Sequence, residues 1–312
     1  MKIMRRILVA TAVAATTLAM APAAQAAVNP VLAAPYLYQW ENPQNPVTVM
    51  KATGIKSFTL AFVLSKGNCN PAWDGDRSLT GADITRVNQI RAAGGDAIPS
   101  IGGWSGNKLG PTCSSASALA AAYQKVINAG KFTAIDLDIE NTDEFQNTGV
   151  QDRVMGAIKI VKQNNPGVKV VVTIGTNTSG PDSWGNRFIQ RSKDLGAPVD
   201  VWAVMPFDFS SGGDMVTMTK SAVTGLKNKV KSVYGLSDDA AWRKSGLSSM
   251  NGHTDNAGEV VSVANFKSIV SWANSVHLAR VSFWALNRDC DNCAGIGQGQ
   301  YDFTKANAGF TG

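Results

Sequence analysis

The feature that most constrains the fold is a regular alternation of short β-forming runs and helical patterns along the chain. Runs rich in β-branched and aromatic residues predict eight strands, at residues 33–40, 57–64, 96–102, 132–139, 168–175, 199–205, 246–251 and 279–286. Helical patterns lie between them, at about 47–53, 80–93, 115–129, 151–165, 182–195, 214–233 and 258–276, with a last one near 302–308. Strands that alternate with helices in this way form a parallel sheet.

Eight strand–helix units in about 285 residues predict a single-domain (β/α)8 TIM barrel of the α/β class, an architecture that typically takes ~250 residues. An open, doubly wound sheet is the alternative arrangement of the same elements. No Gly-x-Gly-x-x-Gly segment follows the first strand, so the sequence does not indicate the nucleotide site that such sheets often carry. No linker, low-complexity tract or repeat divides the chain, and we expect one catalytic barrel domain over residues 27–312.

The fourth predicted strand carries three acids at every second position, Asp136, Asp138 and Glu140. Side chains alternate between the two faces of a strand, so these carboxyls share one face and the apolar residues between them take the other. Like charges that are buried together are costly, and neighbouring carboxylates keep a third acid protonated. Cleavage of a glycosidic bond needs a protonated acid beside an ionised one. The pattern therefore predicts a row of catalytic acids.

A metal site and structural ion pairing are the alternatives to catalysis for this strand. Clustered carboxylates can hold a hard cation such as Mg²⁺ or Ca²⁺, and acids can also pair structurally with nearby cations. A solvated strand end would account for Glu140 alone, because Asp136 and Asp138 lie inside an apolar, β-forming run. We expect catalytic acids, with no metal and no cofactor.

The first 26 residues have the organisation of a secretory signal peptide. A basic start from Lys2 to Arg6 precedes an apolar stretch at 7–21, and Ala24-Gln25-Ala26 supplies a small-x-small cleavage site. The alternative, a transmembrane anchor, needs ~20 apolar residues, and this stretch is shorter and interrupted by threonines. We expect a signal peptide over residues 1–26 and a secreted mature protein.

The charge of the mature chain is modest. Removal of the three signal-peptide cations lowers the formal net charge from +6 to +3. No Lys/Arg-rich run or basic stripe of the kind that binds nucleic acid is present, and no later segment is apolar enough to cross a bilayer. We expect neither nucleic acid nor a membrane as a partner, and a monomer that acts on a neutral polymer.

Four cysteines in an exported chain predict two disulfides. Cys290 and Cys293 are close enough in sequence to pair locally, and Cys69 and Cys113 would then join two loops. A Cys-x-x-Cys pair also occurs in redox motifs and in half of a zinc site. No second such pair is present and the chain has only two histidines, so structural bridges are expected.

In a barrel of this kind the active site lies at the carboxyl ends of the strands. Glu140 is the last residue of the fourth predicted strand and therefore falls at that end. Other distinctive segments end their strands in the same way: residues 100–103 after the third, residues 205–208 after the sixth, and Trp284 on the eighth. A site assembled from these strand ends is predicted.

These segments resemble the signatures of the glycoside hydrolase family 18 chitinases. The family carries Asp-Gly-x-Asp-x-Asp-x-Glu on its fourth strand, and residues 133–140 read Thr-Ala-Ile-Asp-Leu-Asp-Ile-Glu. Ser100, Gly102 and Gly103 resemble the family's Ser-x-Gly-Gly motif on the third strand, and Met205 and Asp208 resemble its Met-x-Tyr-Asp motif on the sixth. Residues 282–289 resemble the eighth-strand stretch that carries the family's sugar-binding tryptophan. Residues 36, 69–73 and 250–252 resemble the compact bacterial members, so the resemblance covers essentially the whole mature chain.

The resemblance implies hydrolysis of β-1,4 linkages in N-acetylglucosamine polymers with retention of configuration. Glu140 would protonate the leaving oxygen, and the 2-acetamido oxygen of the substrate would be the nucleophile. Asp138 would turn to accept the acetamido N–H, and Asp136 would share a proton with Asp138. The implied substrate-binding residues are Trp284, Asp208, Met205, Tyr36, Ser100, Gly102, Gly103 and Trp73.

Aromatic faces are expected to bind the sugar rings, with Trp284 under the scissile sugar. Trp40, Trp73 and Trp104 lie near strand ends and could line further subsites, although ordinary packing is the expected role of Trp40. Asp208 is flanked by Phe207 and Phe209, where relatives often carry a tyrosine. The missing hydroxyl removes one hydrogen bond to substrate, worth on the order of 1 kcal/mol.

Two alternative functions remain open. A chitin-binding lectin on the same barrel typically replaces the catalytic acid, and Glu140 is present here. An endo-β-N-acetylglucosaminidase that cuts N-glycans would use the same acetamido chemistry. The sixth and eighth strands favour the chitinase.

Overall fold

The computed structural model describes residues 28–40, 43–209 and 212–312. The predicted signal peptide, residues 1–26, lies outside this part of the chain. Within it, none of the helices combines the length and the apolar character that crossing a bilayer requires.

Eight parallel strands form a barrel in the order in which they occur along the chain. Their bounds are Tyr36–Tyr38, Ser57–Ser65, Asp96–Gly102, Ala134–Ile139, Lys169–Gly175, Val201–Met205, Ser245–Met250 and Arg280–Trp284. The barrel closes between its first and last strands, where Val281 donates its amide to the Leu32 carbonyl at 3.0 Å and pairs with Ala33. The predicted single-domain (β/α)8 barrel is confirmed, and each predicted strand coincides with an observed one.

Helices surround the barrel, and their ends are encoded locally. The main helices are Pro46–Thr53, Ala82–Ala92, Ala116–Gly130, Thr148–Asn164, Ser183–Leu195, Met215–Tyr234, Val263–Ser275 and Asp302–Ala308. Most begin after a polar side chain that accepts the first free amides, namely Asn45, Ser115, Asn147, Asp182, Asp214 or Ser262. Gly54, Gly196 and Gly235 end three of them in the left-handed conformation, which glycine adopts without strain.

Several short elements were not predicted. Strand Pro71–Trp73 pairs antiparallel with the second barrel strand, and a hairpin of Gly252–His253 and Val260–Val261 follows the seventh. The helix predicted at 258–276 therefore begins only at Val263. Short helices at Leu109–Thr112 and Asp238–Trp242 and a 3-10 turn at Leu286–Arg288 complete the elements. The added strand and the hairpin lie in loops at the carboxyl ends of the barrel, so they shape the site.

The barrel interior changes character along its axis. A small apolar cluster fills it near the starts of the strands, formed by Val31, Ile98, Ala134, Val171, Val201 and Ala203. Two residues further along three of these strands, the same inward direction is taken by Ser100, Asp136 and Thr173, all fully buried. Because the apolar layer is packed, a ligand can enter only from the carboxyl ends.

Two disulfides join the four cysteines as predicted. Cys69 and Cys113 connect the loops that follow the second and third barrel strands. Cys290 and Cys293 close a local turn after the eighth strand. Both bridges lie at the carboxyl ends of the strands, where they restrain the loops around the cleft.

Candidate active site

A cleft of about 740 Å³ opens at the carboxyl ends of the barrel strands. The acids that line it are Asp74, Asp138, Glu140, Asp208 and Asp255. The aromatic residues that line it are Tyr36, Tyr38, Trp40, Phe62, Trp104, Phe207 and Trp284. A concave site with apolar walls and convergent polar groups is typical of ligand binding.

The fourth barrel strand places its acids in one inward-facing row. All residues from Ala134 to Ile139 are buried, with Asp136 fully enclosed and Asp138 3% exposed. Ser100 and Gly102 of the third strand lie opposite Asp136 and Asp138 in the parallel register. The alternation predicted from the sequence therefore brings the three acids together.

Asp136 is held by three hydroxyl groups. Tyr36 and Ser100 donate to its Oδ2 at 2.7 and 2.6 Å, and Thr173 donates to its Oδ1 at 2.7 Å. Hydrogen bonds to a carboxylate are among the stronger ones in proteins. Ser100 was predicted to bind substrate, but it is fully buried beside Asp136 and does not line the cleft. Its place is behind the acid row.

Thr173 was missed in the sequence, although a signal for it existed. It is a polar residue in the apolar run of the fifth predicted strand, two positions after Val171. Val171 faces the barrel interior, so Thr173 faces it too. A hydroxyl at that position, on the strand next to the acids, could have been singled out.

Asp138 combines burial with a free acceptor. Burial raises the pKa of Asp138 well above its usual range, and the charges of Glu140 and Asp136 raise it further. Its Oδ1 is buried and has no hydrogen-bond partner among the described residues. Since Asp138 lines the cleft, a turn of its side chain would offer this oxygen to a ligand.

Glu140 stands where the strand meets the cleft. Burial raises the pKa of Glu140 to about 7, and the nearby carboxyls of Asp136, Asp208 and Asp255 act in the same direction. The Lys108 cation opposes this rise. A carboxyl with a pKa near neutrality can both give up and take back a proton.

Gly102 and Gly103 act through the backbone. Gly102 has a φ of 121°, and a Cβ on it would lie 2.0 Å from the Asp138 carbonyl oxygen. A Cβ on Gly103 would lie 2.7 Å from the Phe62 ring. Neither glycine lines the cleft, so the expected contact with substrate is replaced by close packing of the third strand on the acid row.

Trp284 lines the cleft in contact with other aromatic rings. Its ring stacks on Phe62 at a centroid distance of 5.4 Å and 16° between the planes. Tyr36 meets it edge-on at 5.9 Å, and Tyr38 lies at the same distance. These contacts fix the orientation of the indole. Phe62 was not predicted, because its contact with Trp284 depends on two strands that are distant in sequence.

Trp73 and Trp40 each have the role that was expected of the other. Trp73 is fully buried in the apolar core and does not line the cleft, because strand Pro71–Trp73 turns it inward. Trp40, for which packing was expected, is 53% exposed and lines the cleft, with the Arg77 guanidinium 5.3 Å from its ring centroid. Trp104 is 66% exposed and also lines the cleft. Trp40 and Trp104 are therefore the candidates for further stacking surfaces.

Asp208 is fixed by a residue that the sequence did not reveal. Its φ is 56°, a left-handed conformation, and its amide donates to Glu259 Oε1 at 2.6 Å. The Phe209 amide donates to the other oxygen of Glu259 at 2.9 Å. The Asp208 carboxylate in turn accepts the Asp255 amide at 2.9 Å. The loops after the sixth and seventh strands are thereby locked together at the edge of the cleft.

The other residues of the sixth-strand segment divide between cleft and core. Met205 and Phe207 line the cleft, and both Phe207 and Phe209 pack against the apolar core. Among the described residues, no group of His, Cys, Asp and Glu side chains is arranged to hold a metal ion.

Comparison with known proteins gives remote but extended similarities. No protein-family model matches the chain. It is 24% identical over 275 residues to a probable bifunctional chitinase/lysozyme of Escherichia coli K12, covering 83% of this chain and 31% of that protein. It is also 24% identical over 256 residues to Endochitinase 11 of Metarhizium anisopliae, covering 77% of this chain and 48% of that protein. The chain thus spans less than half the length of the curated relatives it matches.

Solved structures agree with the barrel. Active domain 2 of a thermostable chitinase from Pyrococcus furiosus, as a catalytic-site mutant in complex with chito-oligosaccharides, superposes with a TM-score of 0.83 and 25% identity. The match covers 91% of this chain and 95% of that one. A GH18 chitinase from Pseudoalteromonas aurantia shares the fold, with a TM-score of 0.61 and 13% identity over 88% and 99% of the two chains.

Proposed function

We propose that the chain is a chitinase of glycoside hydrolase family 18, which cleaves β-1,4 linkages in polymers of N-acetylglucosamine. The observation that carries this proposal is the row formed by Asp136, Asp138 and Glu140 at the end of the fourth barrel strand. The row lies in the same cleft as the Trp284 ring, on which a sugar can stack. Acids and stacking surface are the two parts that glycosidic cleavage needs.

Glu140 is the general acid. Its pKa of about 7 keeps much of it protonated near neutral pH, so it can donate a proton to the leaving glycosidic oxygen. The carboxylate that remains then takes a proton from the attacking water. One residue can serve both steps because a pKa near neutrality leaves both its protonated and its ionised form accessible.

The nucleophile is the 2-acetamido oxygen of the substrate. Asp136 is fully enclosed, with both oxygens engaged by hydroxyls, so it cannot reach a sugar carbon. The raised pKa of Asp138 favours its neutral form, which is a poor nucleophile. Neither Asp136 nor Asp138 can therefore be the nucleophilic carboxylate of the usual retaining mechanism. The substrate's own acetamido group is the nucleophile that is left.

Asp138 positions that acetamido group. Its unpartnered Oδ1 can accept the acetamido N–H, which orients the carbonyl oxygen towards the anomeric carbon. Asp136 shares a proton with Asp138 before substrate binds, and the three hydroxyls hold Asp136 in place while Asp138 turns. The product keeps the β configuration, since the two displacements each invert it.

The cellular setting follows from the sequence. The signal peptide expected at residues 1–26 and the two disulfides support export of the mature protein. The protein acts as a monomer on chitin or chito-oligosaccharides, and neither a cofactor nor a nucleic acid takes part.

The test compares two substrates. Wild type, Glu140→Gln and Asp143→Asn are each incubated with chitin hexamer and with a high-mannose glycopeptide. Asp143 is an exposed acid three residues after Glu140, so its amide variant controls for the loss of a negative charge. We expect cleavage of the hexamer by wild type and Asp143→Asn, an intact glycopeptide, and first products with the β configuration by NMR.

Each other outcome has a definite meaning. Cleavage of the glycopeptide in preference to the hexamer would assign the protein to the endo-β-N-acetylglucosaminidases. Binding of the hexamer without cleavage would assign it to the lectins. Substantial hydrolysis by a folded Glu140→Gln protein would show that another residue is the acid.

A further inference from the structure

Lys108 and Glu144 are charged side chains that the proposed reaction leaves without a role. Each is only 2% exposed, although each carries an ionisable group. They lie in the loops that follow the third and fourth barrel strands, at the end of the barrel where the acids lie. A buried ion is costly unless nearby charges or hydrogen bonds compensate it. Their burial beside the active site therefore calls for a physical reason.

The loop that carries Lys108 rests directly on the residues around Glu140. The Gly103 amide donates to the Asp138 carbonyl at 2.9 Å. The Asn141 side chain donates to the Trp104 carbonyl at 2.5 Å. Since residues 138 and 141 flank Glu140, the loop is hydrogen-bonded to the chain on both sides of that acid.

The ammonium of Lys108 points back into this loop. Its Nζ donates to the Ser105 carbonyl, which is its hydrogen-bond acceptor among the described residues. That partner is neutral, so the positive charge is held in place without being cancelled. Burial lowers the pKa of Lys108, while the charges of Glu144, Glu140, Asp138 and Asp143 oppose that change.

Glu144 does not form an ion pair with this cation, which donates to the Ser105 carbonyl instead. It packs against the residues that follow Lys108, since a Cβ on Gly110 would lie 2.4 Å from its Oε1. Its Oε2 is buried with no partner among the described residues. Burial raises the pKa of Glu144 to about 8, which favours the uncharged form of this carboxyl. The field of Lys108 is therefore left to act on the acid row.

We propose, given the chitinase reaction above, that Lys108 is a positioning residue for catalysis: its fixed ammonium stabilises the carboxylate of Glu140 after that acid has protonated the leaving oxygen. The proton passes from Glu140 to the glycosidic oxygen and returns from the attacking water. Lys108 neither forms a bond nor transfers a proton. Its positive charge acts on Glu140, whose own charge changes in each half of the cycle.

The other charges that face Glu140 make such a cation necessary. Asp136 on the same strand, Asp208 after the sixth strand and Asp255 after the seventh all raise the pKa of Glu140, and Lys108 lowers it. Lys108 is the cation that opposes these acids at Glu140. Without it, Glu140 would be slow to release its proton and a strong base afterwards.

The experiment titrates Glu140 directly. Lys108→Met removes charge and tether, Lys108→Gln removes the charge but keeps a donor, and Lys108→Arg keeps the charge. Lys244→Met is the matched control, because Lys244 is a half-buried lysine that donates to the Val199 carbonyl before the sixth barrel strand, at the opposite end of the barrel. The Glu140 carboxyl is followed by ¹³C NMR between pH 4 and 10, assigned with Glu140→Gln, and kcat on chitin hexamer is measured over the same range.

We expect the Glu140 titration to move up by about one unit in Lys108→Met and Lys108→Gln, with no change in Lys108→Arg or Lys244→Met. The alkaline limb of kcat should move with it. If the Glu140 titration does not shift in a folded Lys108→Gln protein, Lys108 only holds the loop through its hydrogen bond to Ser105, and the proposal is overturned. So would failure of both uncharged variants to fold while Lys108→Arg folds, since the cation would then serve the fold. A shift in the NMR titration without any hydrolysis by wild type would refute the chitinase function and leave the electrostatic role intact.

Discussion

Replacement of Thr173 by valine tests how far the buried hydroxyls support the acid row. The two side chains have nearly the same shape, so the change removes one hydrogen-bond donor and little packing. The lost bond joins Thr173 Oγ1 to Asp136 Oδ1 at 2.7 Å, in a site where both residues are fully buried. The Oδ1 atom would then face a methyl group.

The expected size of the effect follows from the kind of bond that is lost. A hydrogen bond to a charged group contributes roughly 1.5–3 kcal/mol, and an acceptor left buried without a donor loses that amount. The free energy of unfolding should therefore fall by about 2 kcal/mol, which lowers Tm by several degrees in a protein of this size. We also expect kcat to fall by about tenfold, because Asp136 is held less firmly beside Asp138.

Two variants serve as controls in the same assays, thermal unfolding and hydrolysis of chitin hexamer. Thr173→Ser keeps the hydroxyl and should retain most of the stability and of kcat. Thr219 is also fully buried, but its hydroxyl has no partner among the described residues, so Thr219→Val should be neutral or slightly stabilising. The reasoning is refuted if Thr173→Val matches wild type in both Tm and kcat, or if Thr219→Val loses as much stability.

The other expected outcomes concern pH, the loops, the rim and metals. Glu144→Gln should remove a pH dependence of stability. The pKa of Glu144 is about 8 in the folded protein and ordinarily 4.5, so the folded state binds the proton more tightly than the unfolded state. The free energy of unfolding of wild type should therefore fall by a few kcal/mol as the pH rises from 4.5 to about 8. Urea unfolding at pH 5 and pH 8 measures this, and an unchanged difference in the variant would contradict it. Glu259→Gln should raise KM several-fold, because one of the two loop amides loses its acceptor; an unaltered KM would separate that loop from substrate binding. Trp40→Ala in the Glu140→Gln background should weaken hexamer binding by about 1 kcal/mol in calorimetry, and equal affinities would remove Trp40 from the subsites. EDTA should leave activity intact, whereas strong inhibition would favour a metal site.

The sequence predicted the fold well wherever the fold follows from the local periodicity of the residues. Alternating strands and helices implied the barrel, and the period-two spacing of Asp136, Asp138 and Glu140 implied one face. The barrel then placed Glu140 at the carboxyl end without any knowledge of its neighbours. These statements need only the geometry of a strand and the general rule for such barrels.

The same approach failed where the outcome depends on contacts between distant segments. Trp73 and Trp40 both follow strand ends, and local sequence does not distinguish them, yet one is buried and the other lies open on the cleft. The difference comes from a short antiparallel strand that turns Trp73 into the core. The local pattern predicts that Glu259 lies at the start of a helix. In the structure its carboxylate accepts the amides of Asp208 and Phe209, about fifty residues away in sequence.

The amino-acid sequence alone determined the barrel, the face shared by the three acids and the end of the barrel at which they lie, because strand periodicity and βα alternation are properties of the chain itself. Tertiary structure decided how each acid behaves. Enclosure by hydroxyls from three other strands, a raised pKa at Glu140 and the nearby Lys108 cation arise only when remote segments meet, since burial and electrostatic fields depend on distances that no local pattern records.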